Sequence, residues 1–176
     1  MSAEAVREFD AFYRDTSRRL TRYAYGLTGD PAEAQDLVQE AYARAWQRWR
    51  KLSGYDEPEA WLRVVVSRLS TDRWRRLRMH RTRGGAVAQA STTPAPSDDT
   101  VLLVRAMRAL PEAQRRVLVL HYLLDLSVGE IAAEVGAPAG TVKSWLSRGR
   151  AALATALGVS DSRELTEGAR HAGGLG

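Results

Sequence analysis

The stretch Pro31–Trp49, PAEAQDLVQEAYARAWQRW, decides the fold. Leu37, Val38, Ala41, Tyr42, Ala45, Trp46 and Trp49 recur at the spacing that lines one stripe of an α-helix, so the segment must lie against other structure along that stripe. The other side is acidic. Glu33, Asp36 and Glu40 share it, with Gln35 and Gln39 beside them. Two readings of this side stand open: a solvated face, or a docking face for a basic partner.

Working outward, Val6, Phe9, Phe12, Leu20, Tyr23, Ala24 and Leu27 give a preceding helix from about Ala3 to Leu27. It stops at Thr28-Gly29, where glycine can adopt the left-handed conformation that closes a helix. Asp30, Pro31 and Glu33 then supply a cap, a first-turn proline and a capping-box partner. The acidic helix is expected to run to about Leu52, and Asp56-Glu57-Pro58 announces a third helix. That helix is apolar at Trp61, Leu62, Val65, Val66 and Leu69 and then becomes cationic. From Arg68 to Arg83 it carries seven arginines and one acid, Asp72, with Trp74 among them. Like charges at this density repel unless an anion compensates them, which favours nucleic acid. A membrane surface fits less well, because the cationic end lacks a sustained apolar face.

Residues 84–97 open with GGAVAQASTTPAP, uncharged and built of small residues, and read as a flexible linker. A helical domain at 3–83 thus precedes a second at 98–157, with 158–176 as a frayed tail. In the second domain a short helix runs through Leu110, and Pro111 opens another with Val117, Leu118, Leu120 and Leu123 on its buried stripe. Ser127-Val128-Gly129-Glu130 is a capping box, and the helix it starts ends at Gly136. A turn over Ala137–Gly140 leads into a second helix from about Gly140. This is a helix-turn-helix pattern, with an αα-hairpin of a plain bundle as the alternative. Ile131, Ala132, Val135, Val142 and Leu146 suit its small core; Thr141, Lys143, Ser144, Ser147 and Arg148 are left for a DNA groove.

The whole is all-α, in two small helical domains. With 176 residues and 44% hydrophobic content there is material for real cores. Lys and Arg number 26 against 21 Asp and Glu, and the excess of +5 is concentrated in the arginine run. There is no cysteine, hence no disulfide, thiolate site or thiol nucleophile. His80, His121 and His171 lie far apart, and no metal site, cofactor or catalytic motif is expected. No signal peptide or membrane span is evident, so a cytoplasmic location is the default expectation.

With these residues laid out, the chain resembles the extracytoplasmic-function group of bacterial RNA polymerase sigma factors, in its actinobacterial style. DPAEAQDLVQEAYARAW is similar to the family's polymerase-binding helix, and LPEAQRRVLVLHYLLDLSVGEIAAEVGAPAGTVKSWLSRGRAAL to its promoter-binding domain, in the family's order. The resemblance implies that 3–83 is sigma region 2 and 98–157 sigma region 4. It implies that Asp36, Gln39 and Glu40 dock on a basic coiled coil of the polymerase largest subunit, with Leu37 adding apolar affinity. Arg68, Asp72, Arg73, Trp74, Arg75 and Arg76 would meet the −10 element, where an unstacked base is captured during opening. Thr141, Lys143, Ser144, Ser147 and Arg148 would lie in the −35 major groove, Lys143 and Arg148 on phosphates. Many members carry Asn near Arg68 and Arg in place of Trp145, so base choice and one backbone contact differ here. Members are often held silent by an anti-sigma protein, a further expected partner; no hydrolysis by the chain is implied.

Overall fold

The computed structural model describes residues 2–82 and 98–158; the expected linker at 84–97 and the tail beyond Gly158 lie outside them. The described residues form eight α-helices and no strand: α1 (Ala3–Thr28), α2 (Pro31–Gln47), α3 (Trp49–Leu52), α4 (Pro58–Thr82), α5 (Asp98–Ala109), α6 (Glu112–Leu124), α7 (Val128–Val135) and α8 (Ala139–Ala156).

Local chemistry sets most of these ends. Gly29, at φ 66°, closes α1, its N–H bonded to Tyr25 O. Asp30 then caps α2 by accepting from the N–H groups of Ala32 and Glu33. Ser127 and Glu130 form the reciprocal capping box of α7, and Gly136, at φ 67°, ends it. Two boundaries differ from the sequence reading. The acidic helix breaks at Arg48, because a short turn carries Trp49 back against Phe9 and Phe12, with ring centroids 5.1 Å from each. The second helix of the helix-turn-helix starts at Ala139, since Pro138 holds the extended conformation that precedes a helix and Gly140 already belongs to the first turn.

The N-terminal domain is built on α1, which packs on α2 and α4 through Leu20, Tyr23, Ala24, Leu27, Leu37, Val38, Ala41, Leu62 and Val66. In the C-terminal domain α6 packs on α7 and α8 around Val117, Leu118, Ile131, Val142 and Leu146. The two domains also lie against each other. Helix α1 contacts α5 and α6, and the buried residues of both domains form one continuous core. Close approach is allowed by missing side chains: a Cβ on Gly26 would stand 2.7 Å from Leu123 Cδ1, and one on Gly29 would overlap Val104 Cγ1. The sequence reading allowed the domains to sit apart; this structure holds them together.

Candidate functional site

The polar side of α2 divides in two. Asp36, with its side chain 64% exposed, Gln39 and Glu40 face solvent, Glu40 accepting from Arg44 Nε at 2.8 Å one turn on. Glu33 does not share this free surface. It turns into a junction of α2, α4 and α5, 3.5 Å from Arg73 and 4.0 Å from Arg108. Burial there pushes its carboxyl above the usual range, opposed by the two arginines. Leu37 is 4% exposed and belongs to the core, so it braces the face from beneath and offers no apolar contact to a partner. A residue on the buried stripe of an amphipathic helix cannot also lie on its docking side.

On α4 the six expected DNA contacts split over three directions. Arg68, Asp72 and Arg76 are exposed on the outer side. Arg73 leans to α2, reaching Glu33 and, at 3.5 Å, Asp36. Trp74 and Arg75 line a cleft of about 880 Å³ whose opposite wall is Arg108–Glu112 and Arg115 of the second domain.

In α8, Val142, Leu146 and Gly149 are buried against the domain core, which leaves Lys143, Ser147 and Arg148 exposed and Thr141 and Ser144 partly so. Arg148 donates to Ser144 Oγ at 2.7 Å, which pre-orients the guanidinium along the helix. Trp145 packs against the core cluster.

The sequence reading missed a fourth feature. A cavity of about 580 Å³ at the α2–α3–α4 corner is lined by Trp46, Trp49, Tyr55 and Trp61 together with Arg48, Arg50 and Lys51. Phe9 supports it from behind, 4.9 Å from Trp46. The buried indole N–H of Trp49 has no hydrogen-bond partner among the described residues. Flat aromatic faces among cations are what a single-stranded base and its phosphate need. The signal was present as aromatics interleaved with basic residues from Trp46 to Trp61, but the turn that gathers them is tertiary.

Among the described residues no group of carboxylates and histidines could hold a metal ion, and no helix is long and apolar enough to cross a membrane.

Comparison with known proteins follows this division. The family description "Sigma-70 region 2" matches residues 12–79, and "Sigma-70, region 4" matches residues 100–153. The RNA polymerase sigma-E factor of Streptomyces antibioticus is 35% identical over 163 residues, covering 92% of this chain and 91% of that protein. The chain belongs to the extracytoplasmic-function sigma factors of the sigma-70 family. The ECF RNA polymerase sigma factor SigL of Mycobacterium tuberculosis is 33% identical, over 77% of this chain and 81% of that protein. Among solved structures, the sigma factor RpoE of Bartonella quintana, determined with the anti-sigma factor NepR, superposes with a TM-score of 0.68 at 26% identity, over 86% of this sigma factor and 99% of that chain. Regions 2 and 4 of this sigma factor are therefore the two helical domains on α1–α4 and α5–α8.

Proposed function

We propose that this sigma factor binds core RNA polymerase, directs it to specific promoters and helps open them, without catalysis of its own and in the cytoplasm. The observation that carries the reading is the free side of α2, where Asp36, Gln39 and Glu40 stand exposed over a fully buried stripe, in a chain that also holds a helix-turn-helix. A basic coiled coil of the largest subunit is the complementary partner, and complementary charge there sets orientation and encounter rate. Region 2 is taken as 3–83 and region 4 as 98–157.

Promoter contact follows from the other surfaces. Lys143 and Arg148 suit −35 phosphates, with Thr141, Ser144 and Ser147 toward base edges. Arg68, Asp72 and Arg76, with Arg73, Trp74 and Arg75 at their sides, suit the −10 duplex. The Trp46–Trp61 corner suits an unstacked base of the opened strand, whose stacking stabilises the melted state. An anti-sigma partner would find an apolar seat in the cleft of about 420 Å³ between α1, α5, α6 and α8, lined by Tyr25, Val104, Met107, Val119 and Leu123.

The test is reversal of charge on α2. Asp36→Lys with Glu40→Lys is expected to abolish capture of core polymerase while circular dichroism and the thermal midpoint stay near wild type. Capture at the wild-type level would remove the assignment of that face.

A further inference from the structure

The cleft between α4 and the start of α6 has two walls of different chemistry. Trp74 and Arg75 belong to the wall on region 2, and Arg108, Leu110, Pro111, Glu112 and Arg115 to the wall on region 4. Promoter contact as proposed above engages Trp74 and Arg75 and leaves the opposite wall without a role.

That opposite wall has the features of an anion site. Arg115 is 7% exposed. Its Nη1 donates to Arg108 O at 3.3 Å, and its Nε has no hydrogen-bond partner among the described residues. Burial lowers its pKa, an effect that Glu112 opposes and Arg108 increases. A guanidinium kept charged against desolvation is stabilised by an anion brought to it. Helix α6 begins at the same wall. Pro111 is its N-cap and supplies no side-chain cap, so the N–H groups of the first turn and the positive end of the helix dipole lie at the edge of the cleft.

Charge and size narrow the ligand. Arg75, Arg108 and Arg115 stand on the lining against Glu112 alone, an excess of two positive charges. Glu112 accepts a hydrogen bond from Thr71, and Glu33, 4.0 Å from Arg108, lies closer to Arg73. A phosphate monoester carries a charge of about −1.5 to −2 at neutral pH, which matches that excess. The volume of about 880 Å³ is far more than a bare phosphate fills and lies in the range of small-molecule sites, about 300–1,000 Å³. Trp74 supplies an indole, with Leu110 and Pro111 on the facing wall, and a nucleobase stacks on such a surface.

From this lining we infer that the cleft binds a free mononucleotide, its base on Trp74 and its single phosphate between Arg108 and Arg115 at the start of α6. Region 2 supplies the platform for the base and region 4 the grip on the phosphate. Stacking accepts any base, so the site selects a nucleoside that carries a phosphate more than it selects base identity. The inference stands on the lining of the cleft and does not depend on promoter recognition.

Equilibrium dialysis of the full chain against radiolabelled AMP in phosphate-free buffer tests it. One equivalent of AMP should bind saturably, and GMP should compete at similar concentration. Adenosine and inorganic phosphate, each offering half of the ligand, should bind about tenfold more weakly. Arg108→Gln and Trp74→Ala should each weaken AMP binding about tenfold, while Trp74→Phe, which keeps an aromatic face, should retain most of the affinity. Trp74 is exposed on α4, so its two variants decide the matter even should Arg108→Gln fold poorly. No saturable uptake of AMP or GMP would overturn the site. Inorganic phosphate binding as tightly as AMP would overturn the stacking half of the inference, and full affinity in Arg108→Gln or Trp74→Ala would overturn the location. Displacement of AMP by a DNA strand of about five residues, at roughly a tenth of the AMP concentration, would assign the cleft to a strand and overturn the free mononucleotide.

Discussion

Arg63 of α4 and Glu134 of α7 are joined through one oxygen atom. Both Nε, at 2.9 Å, and Nη2, at 2.7 Å, donate to Glu134 Oε2, and the two side chains are 9% and 5% exposed. Glu59 is the other carboxylate near this guanidinium, at 3.6 Å. Glu134→Ala therefore leaves a buried cation with one distant carboxylate among the described residues and should destabilise the packing of the two domains by about 3–5 kcal/mol. Replacing both, Arg63→Met with Glu134→Leu, should be neutral or stabilising by about 1–4 kcal/mol, because neither charge is then desolvated. Urea midpoints of the full chain compare the two; equal losses would show that the pair stabilises by more than it costs to bury.

The Tyr23 hydroxyl makes no hydrogen bond of normal geometry among the described residues, and burial pushes its pKa up to about 12, with Arg116 and Ser67 beside it opposing. An acid whose folded value lies above its unfolded value, near 10, is held protonated by the fold. The stability it contributes is full below pH 10 and is lost as the pH rises from 10 to 12. Tyr23→Phe should flatten this alkaline loss and leave stability at pH 7 unchanged or higher, since no hydrogen bond of normal geometry among the described residues is removed. Thermal melts between pH 7 and 11 test it, and a drop of more than about 1 kcal/mol at pH 7 would imply a bond to the hydroxyl.

Gly149 lies where α8 crosses α6. A Cβ there would meet Leu118 Cδ1 at 2.8 Å and Cγ at 3.3 Å, and Leu118 is itself buried. Gly149→Ala is expected to cost region 4 roughly 1–3 kcal/mol through overpacking, despite the better helix propensity of alanine. Hydrogen exchange at α6 and α8 amides should accelerate while α2 amides keep their protection. A stabilised variant would mean that Leu118 repacks freely.

Lys143 and Arg148 are exposed on α8, and Arg148 is held by Ser144. If each neutralises one phosphate, Lys143→Ala with Arg148→Ala should lower the slope of log affinity against log salt by roughly 1.8. The change should be nearly uniform across −35 sequences, whereas Thr141→Ala and Ser147→Ala should alter sequence preference at an unchanged slope. Filter binding over a salt series separates these outcomes.

The sequence by itself determined the long helices, most of their ends and the helix-turn-helix, because those rest on contacts within a few residues. Asp30 on the amides of Ala32 and Glu33, Ser127 with Glu130, and the left-handed Gly29 and Gly136 are all local, and the periodicity of α1, α2, α4 and α6 separates buried from exposed residues without knowledge of the partner. It also gave the exposed Asp36, Gln39 and Glu40 and the small basic face of α8. What only the tertiary structure decided involves residues far apart in the chain. Glu33 shares the acidic side of α2 on a helical wheel, yet Arg73 and Arg108 draw it out of the free surface. Trp46, Trp49, Tyr55 and Trp61 become one groove only because the chain turns at Arg48. Arg63 and Glu134 look like ordinary surface charges in their own helices, and they are a buried pair because region 4 packs on region 2. Periodicity reports which face of a helix is buried; which helix covers it, and which charges are buried with it, is fixed by the packing of one domain against the other.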